Sequence, residues 1–151
     1  LCQRIEHIQT FIRLVKETQQ KYGSNLKIIV TGSSLGAALA SIASLELKDL
    51  HLSSLNSYFG NPRFANQALA NYLSQKLTPY IRVIHNADIV PHVPLQSQDY
   101  HHAPYEIFFD EDFLSYRICD NTGEDPTCSN AFKTFSIPDH VNYWYKPTVQ
   151  D

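Results

Sequence analysis

The pentapeptide Gly32-Ser33-Ser34-Leu35-Gly36 has the residue types and the setting of a nucleophile elbow. An apolar run, residues 26–30, precedes it, and a run of small residues, 37–40, follows it. A strand that turns sharply into a helix presents one serine hydroxyl above the end of a sheet. Glycines on both sides of that serine keep side chains out of the crowded turn. The spacing predicts Ser34 as a covalent nucleophile, and the alternative is an ordinary turn with a capping serine.

A serine hydroxyl is a weak nucleophile at neutral pH, so it needs a base and a third group that orients the base. After an elbow of this kind those groups follow in the order Asp or Glu, then His. They lie in loops beyond the carboxyl ends of parallel strands. Asp88 comes three residues after a predicted strand, 80–85, and fits the carboxylate. The alternative for Asp88 is a turn aspartate.

The base must come later in the chain, where four histidines follow: His92, His101, His102 and His140. His92 is too close to Asp88 to come from a separate loop. His101 and His102 are adjacent, so their side chains diverge. His140 lies between a β-like run and a closing helical segment, and it is the predicted base. The alternative for His140 is a surface histidine in a capping turn.

Hydrophobic periodicity predicts alternating strands and helices. The predicted helices are 3–21, 35–47 and 64–77, and the predicted strands are 27–31, 52–59 and 80–85. An antiparallel pair, 105–109 and 114–119, and a short helix, 139–145, complete the chain. The first strand is rich in β-forming residues, and we expect both of its faces to be buried. The second helix carries few charges, so we expect it to be buried too. This alternation, with the elbow, predicts an α/β-hydrolase fold with a mostly parallel sheet flanked by helices, in one domain over residues 1–151.

The composition excludes several classes of protein. With 151 residues, 43% hydrophobic and 18% charged, the chain can build the core of one domain. A net charge of −3 without a basic stripe predicts no nucleic-acid partner. No apolar stretch approaches the roughly 20 residues of a membrane-spanning helix. The chain lacks the H-E-x-x-H and paired-cysteine spacings and a glycine-rich phosphate loop, so we expect no metal and no cofactor.

The cysteines and the missing methionine bear on processing. The sequence has no methionine and no signal-peptide pattern, so we expect a portion of a longer precursor or a processed product. Cys119 and Cys128 flank a polar loop, 120–127, and either form a short disulfide or remain free thiols. A disulfide would favour an oxidising compartment. Cys2 is left without a partner.

Four stretches together resemble the fungal class 3 lipases. They are the elbow with its flanks, Ile29–Ala40; the segment Tyr58–Arg63; the aspartate loop, Arg82–Pro91; and a tail with Cys128-Ser129-Asn130, Asp139-His140 and the aromatics Tyr143-Trp144-Tyr145. The resemblance runs from about residue 3 to residue 146. Two positions depart from the family pattern, which usually has His at Ser33 and Gly at Ala37.

The resemblance implies a role for each of these positions. Ser34 would be the nucleophile, Asp88 the orienting carboxylate and His140 the general base. The backbone N–H of Leu35 would form half of an oxyanion hole. Val90 and Val141 would line the acyl pocket, and Cys119 and Cys128 would form the disulfide of secreted relatives. The family's second oxyanion donor and lid precede the region matched here, so we expect this chain to be the C-terminal part of the domain and to be inactive by itself.

The sequence therefore predicts a serine carboxylester hydrolase, most concretely a triacylglycerol lipase that forms an acyl-enzyme on Ser34. Its expected partner is a lipid or ester, at an oil–water or membrane surface. Secretion is the expected location, and an intracellular location stays open. Phospholipase A1, monoacylglycerol lipase and feruloyl esterase activities would use the same triad. A non-catalytic, lipase-like binding module is the alternative of another class.

Overall fold

A computed structural model describes residues 2–23, 26–52 and 54–143, with side chains described from residue 9 onwards. The helices are α1 (Cys2–Tyr22), α2 (Leu35–Asp49), α3 (Gln67–Lys76) and α4 (Ile137–Val141). The strands are β1 (Ile28–Ser33), β2 (Ser54–Phe59), β3 (Tyr80–His85), β4 (Glu106–Phe109) and β5 (Tyr116–Ile118). None of the described helices is long and apolar enough to cross a membrane.

The five strands form one sheet in the order β1-β2-β3-β4-β5. The first four are parallel, and β5 runs antiparallel to β4. Ser33, the last residue of β1, is paired with Phe59, which is in turn paired with Val83 near the end of β3. The carboxyl ends of β1, β2 and β3 therefore meet at one edge of the sheet, as parallel strands require. This topology confirms the predicted α/β arrangement with a mostly parallel sheet.

Helix α2, which follows the elbow, is fixed to the sheet by buried polar contacts. The Tyr80 hydroxyl lies 3.0 Å from Ser41 Oγ, and the Tyr58 hydroxyl lies 2.8 Å from Ser44 Oγ. Both serines and both tyrosines are buried, and burial raises the pKa of each phenol. These hydroxyls satisfy one another in a dry interface, where an unpaired polar group would be costly. The contacts thereby hold the middle of α2 in place against β2 and β3.

The expectation that both faces of β1 are buried is wrong, and helix α2 is buried only in part. The residues of β1 alternate between half-buried and exposed, and Ile29 is 67% exposed. Among the strands of the described residues, β1 pairs with β2 alone, and Leu55, the β2 partner of Ile29, is exposed on the same face. Leu39 of α2 is also exposed and, with Phe11 of α1, lines an apolar groove of about 410 Å³ beside β1.

Two helices begin at different residues than the sequence predicts, because polar side chains cap them. Helix α3 begins at Gln67 rather than at 64, since the Asn66 side chain accepts a hydrogen bond from the Leu69 N–H. Helix α4 begins at 137 rather than at 139, since Ser136 Oγ accepts from the Asp139 N–H. Helix α4 ends at Val141, so the predicted closing helix is wrong at 142 and 143, and its last two residues, 144 and 145, lie outside the described residues.

The loop that follows β5 is closed by the predicted disulfide between Cys119 and Cys128. Within this loop, Glu124 makes a two-point ion pair with Arg63, with Nε–Oε1 and Nη2–Oε2 distances of 2.8 Å each. Burial alone would raise the pKa of Glu124, but the hydrogen bonds from Arg63 and Asn130 lower it overall. The loop is thereby tied to the segment that follows β2.

Candidate active site

Ser34 occupies the turn between β1 and α2, with φ 56° and ψ −131°. Residues with a Cβ avoid this backbone region, at a cost of about 1–3 kcal/mol. Two backbone hydrogen bonds hold the turn: the Ser34 N–H donates to Phe59 O, and the Ala37 N–H donates to Ser34 O, each at 2.9 Å. The conformation is that of a nucleophile elbow, in which the strained residue raises its side chain above the sheet.

The two glycines of the elbow differ in how strictly they are required. A Cβ at Gly32 would lie 2.3 Å from the backbone oxygen of Gly36, so no other residue fits there. A Cβ at Gly36 would meet nothing within 4 Å outside its own helix. The expectation that both glycines relieve crowding therefore holds for Gly32 alone. Of the two positions that depart from the family pattern, Ser33 is exposed and Ala37 is fully buried in the first turn of α2.

Asp88 lies in the turn after β3 and is completely buried. Its Oδ1 accepts a hydrogen bond from the Val90 N–H at 2.8 Å. Its Oδ2 lies 3.0 Å from Nδ1 of His140 and also accepts the hydroxyl of Tyr143. An ionised carboxylate only accepts hydrogen bonds, and here donors face both of its oxygens. The surroundings of Asp88 are therefore those of an orienting carboxylate.

His140, on α4, bridges Asp88 and Ser34. Its Nδ1 faces the carboxylate of Asp88, which has no proton to give, so Nδ1 carries the imidazole proton. Its Nε2 is then the acceptor, and it lies 2.8 Å from Ser34 Oγ. The structure thus brings together the three side chains that the sequence nominated, over separations of 52 and 106 residues.

The turn that carries His140 is bound to the loop that carries Asp88. Asp139 Oδ2 accepts from Asn86 Nδ2 at 2.9 Å and from the Ala87 N–H at 3.1 Å. The Ser136 N–H donates to Ala87 O at 2.7 Å. These three bonds hold the His140 turn against the Asp88 loop without involving the side chain of either residue.

Two functional neighbours, Tyr143 and Gly60, escaped the sequence analysis. Tyr143 appeared there only among the tail aromatics, although its position three residues after the predicted base was an available signal. Gly60 appeared only within the segment Tyr58–Arg63, and it has a φ of +54°. A Cβ at Gly60 would lie 2.8 Å from Asp88 Oδ2 and 3.1 Å from His140 Cε1. The Asp88–His140 pair therefore fits only against a residue without a side chain.

The other three candidate bases are engaged elsewhere. His92 has Nδ1 2.9 Å from the backbone oxygen of Asp88, and His102 Nε2 donates to Pro91 O at 2.7 Å. Burial lowers the pKa of both, and that of His102 lies well below the ordinary value. His101 lies 3.7 Å from the carboxylate of Asp99. Only His140, among these four, faces Ser34.

The residues predicted to bind substrate flank the three central side chains. Leu35 is the first residue of α2 and is 67% exposed. Its N–H belongs to the first turn of a helix, where backbone N–H groups lack intrahelical acceptors and carry partial positive charge. Val90 is half-buried beside Asp88, and Val141, next to His140, is 79% exposed. Their roles in an oxyanion hole and an acyl pocket remain predictions.

One cluster of potential metal ligands occurs among the described residues: Glu106, Cys119 and Cys128. The two sulfurs are joined in the disulfide, so neither is a thiolate ligand. The carboxylate of Glu106 is occupied by Arg82 Nη2 at 3.2 Å and by the Ser129 N–H at 3.0 Å. This donor set does not suit a metal ion.

The chain is similar to known lipases in sequence and in structure. The family described as lipase (class 3) matches residues 5–98. A lipase of Rhizopus niveus is 40% identical over 124 residues, which is 78% of this chain and 32% of the relative. A protein of Fusarium solani named secreted mono- and diacylglycerol lipase 1 is 29% identical over 147 residues, 92% of this chain and 44% of the relative.

Among solved structures, lipase II from Rhizopus niveus superposes with a TM-score of 0.84 at 32% identity, over 95% of this chain and 56% of that one. A triacylglycerol lipase described as having a serine protease triad for its catalytic centre gives a TM-score of 0.82 at 32% identity, over 90% and 54% of the two chains. The chain spans about a third of the length of the Rhizopus niveus relative and about half of these solved structures. With the family match extending over more than half of its residues, the chain belongs to the class 3 lipase family.

Proposed function

We propose that this chain carries the catalytic triad of a serine carboxylester hydrolase, with Ser34 as nucleophile, His140 as general base and Asp88 as orienting carboxylate. The observation that carries the proposal is the continuous hydrogen-bonded line from Ser34 Oγ through His140 to Asp88 Oδ2, with distances of 2.8 and 3.0 Å. Each atom in this line has the donor or acceptor character that its role requires. The membership of the chain in a lipase family supports the same conclusion.

Acylation begins when His140 Nε2 takes the proton of Ser34 as Oγ attacks the ester carbonyl carbon. The carbonyl electron pair moves onto oxygen, and the Leu35 N–H stabilises the negative charge. The tetrahedral intermediate then collapses, and the leaving alcohol takes the proton from His140 Nε2. Asp88 stays ionised throughout and stabilises the imidazolium that forms transiently.

Deacylation repeats these steps with water as the nucleophile. His140 removes a proton from water, which attacks the acyl-enzyme carbonyl carbon. The Ser34 oxygen leaves and recovers its proton from His140, and the free carboxylic acid is released. One ester bond is consumed and one water molecule is used, so neither a cofactor nor a redox partner enters the balance.

For the substrate, we propose the acyl ester of a glyceride, with triacylglycerol first. Apolar side chains stand next to the reacting residues: Leu35 follows the nucleophile, and Ile137 and Val141, on the same short helix as His140, are 68% and 79% exposed. These exposed side chains offer an apolar surface to a fatty acyl chain. The names of the relatives, which include a triacylglycerol lipase and a mono- and diacylglycerol lipase, support both ester classes.

We further propose that the protein is secreted. The disulfide between Cys119 and Cys128 suits an oxidising compartment. The Fusarium solani relative is named as a secreted protein. Detection of the protein in the culture medium, with this disulfide intact by mass spectrometry, would test the location.

The catalytic proposal is tested by hydrolysis of p-nitrophenyl butyrate by the full-length protein. We expect Ser34→Ala and His140→Ala each to lower kcat by at least about 10³-fold, because residues of a triad act as a unit. Ser74→Ala, on the remote helix α3, is the matched control and should retain wild-type turnover. Equal turnover in the wild type and Ser34→Ala would refute the proposal. A comparison of tributyrin with monobutyrin then distinguishes the two glyceride classes.

A further inference from the structure

The phenol of Tyr143 donates a hydrogen bond to Asp88 Oδ2, the oxygen that also faces His140. We propose that Tyr143 is a positioning residue of the triad, which fixes the rotation of the Asp88 carboxylate and withdraws part of its negative charge. This role rests on the proposed function of Ser34, Asp88 and His140, and it adds a fourth side chain to the line of hydrogen bonds.

The direction of the Tyr143 hydrogen bond is set by its two neighbours. On one side the His85 N–H donates to the phenolic oxygen at 3.3 Å. On the other side stands Asp88 Oδ2, a group that only accepts. A phenol has one proton, so that proton goes to Asp88. The His85 backbone belongs to β3, and the sheet itself therefore holds the phenolic oxygen in place.

Three donors divide the two oxygens of Asp88 between them. Oδ1 accepts from the Val90 N–H, whereas Oδ2 accepts from both Tyr143 and His140. With a donor on each oxygen, the carboxylate cannot rotate without breaking a charge-assisted bond. Loss of the phenolic donor would leave Oδ2 with His140 alone, so the carboxylate would be held less rigidly and more of its negative charge would face the imidazole.

The site around Tyr143 is dry and its ring is held firmly. Tyr143 is 7% exposed and Asp88 is completely buried. The ring meets Phe59 edge-on, with centroids 6.1 Å apart, and meets the His85 ring at 6.0 Å. Burial first, and then the charge of Asp88, raise the pKa of the phenol, so it remains a donor at every pH at which a lipase works. In such surroundings a hydrogen bond to a charged group is stronger than in water.

A purely structural role would also explain a buried tyrosine near the end of the described chain. The two roles differ in their effect on the pH profile. A carboxylate that has lost a donor holds the proton on His140 more tightly, so the acid limb of kcat/KM moves to higher pH. A ring that only anchors the C-terminal segment affects folding and leaves the acid limb in place.

The test compares Tyr143→Phe with the wild type and with Tyr72→Phe, a surface tyrosine of α3 that serves as the matched control. The assay measures hydrolysis of p-nitrophenyl butyrate by the full-length protein at pH values between 5 and 9. We expect Tyr143→Phe to lower kcat about 10- to 100-fold, the range for a lost hydrogen bond to a charged group. KM should stay within about twofold of the wild-type value, since the phenol does not touch the ester, and the acid limb should move to higher pH.

If Ser34→Ala abolishes activity but Tyr143→Phe has the wild-type kcat and an unmoved acid limb, the inference about Tyr143 is overturned and the proposed function stands. Hydrolysis that survives Ser34→Ala would instead overturn the proposed function, and this role with it. If Tyr143→Phe fails to fold, the test uses 3-fluorotyrosine at position 143 instead. This residue keeps nearly the shape of tyrosine, and its hydroxyl donates a stronger hydrogen bond. The acid limb should then move to lower pH, and an unmoved limb would overturn the inference.

Discussion

Substitution of Gly60 by alanine tests how tightly the Asp88–His140 pair is packed. The new Cβ would lie 2.8 Å from Asp88 Oδ2, 3.0 Å from the Tyr143 hydroxyl and 3.1 Å from His140 Cε1. The first of these separations is shorter than real Cβ atoms show, so Asp88 must move. The displaced groups are the charged and hydrogen-bonded parts of the site, which have no free space behind them because Asp88 and Tyr143 are buried.

The expected loss of stability has two parts. An alanine at a φ of +54° costs roughly 1–2 kcal/mol. Crowding a packed interior costs about 1–3 kcal/mol more. A displacement approaching 1 Å at a catalytic group lowers turnover by up to about 10²-fold. We therefore expect Gly60→Ala to lose about 2–5 kcal/mol of unfolding free energy and to lower kcat about 10- to 100-fold with little change in KM.

Gly23→Ala is the matched control, because Gly23 has a φ of +99° and no atom within 4 Å of an added Cβ. It should lose only the backbone part, about 1–2 kcal/mol, and retain wild-type kcat. Urea unfolding gives the two stabilities, and hydrolysis of p-nitrophenyl butyrate gives the two rates. A Gly60→Ala enzyme with the stability of Gly23→Ala and with wild-type kcat would refute the packing described for the Asp88–His140 pair.

Three further substitutions test what holds the site in place. Asp139→Ala should lower kcat, because it removes the acceptor that joins the His140 turn to the Asp88 loop. Asp139→Asn should keep most of the wild-type kcat, since its amide oxygen still accepts these hydrogen bonds. Equal rates in the two variants would contradict this. Burial lowers the pKa of His102 below its unfolded value of about 6.5, so below pH 6.5 the unfolded state binds more protons than the folded state. The stabilising contribution of neutral His102 is complete above about pH 6.5 and is lost as the pH falls towards its folded-state pKa, by up to about 1.4 kcal/mol per pH unit. The unfolding free energy, measured with urea at several pH values, should therefore depend less steeply on pH in His102→Gln than in the wild type. An unchanged dependence on pH would contradict the argument. The double variant Cys119→Ser/Cys128→Ser opens a loop with a sequence separation of 9 and should lose about 2.5 kcal/mol, whereas a midpoint of urea unfolding equal to that of the wild type would contradict the estimate.

The sequence predicted the local parts of the site well, because each of them forms within one short stretch of the chain. The elbow is a strand, a turn and a helix within one short stretch, and the structure places Ser34 at that junction. The bounds of β3 were predicted to the residue, since an apolar, β-branched run ends there in a polar turn. Asp88 and His140 followed from chain order and from their positions after predicted elements.

Other features depend on contacts that no local pattern reveals. Ile29 and its partner Leu55 on the interior strand β2 are both exposed, so the exposure belongs to a face of the sheet, and sequence periodicity does not tell which faces other segments cover. The role of Gly60 arises because Asp88, Tyr143 and His140, from two distant segments, converge on it. Tyr143 likewise looks like an ordinary core aromatic until the structure sets its hydroxyl against Asp88.

Reaction of the protein with a fluorophosphonate, followed by peptide mass spectrometry, tests the central claim most directly. An activated serine attacks phosphorus and retains the label, whereas an ordinary serine does not. We predict a single labelled residue, Ser34, and labelling that is slowed in His140→Ala and retained in Ser74→Ala. Labelling at another residue, or labelling of Ser34 at the same rate with and without His140, would contradict the account.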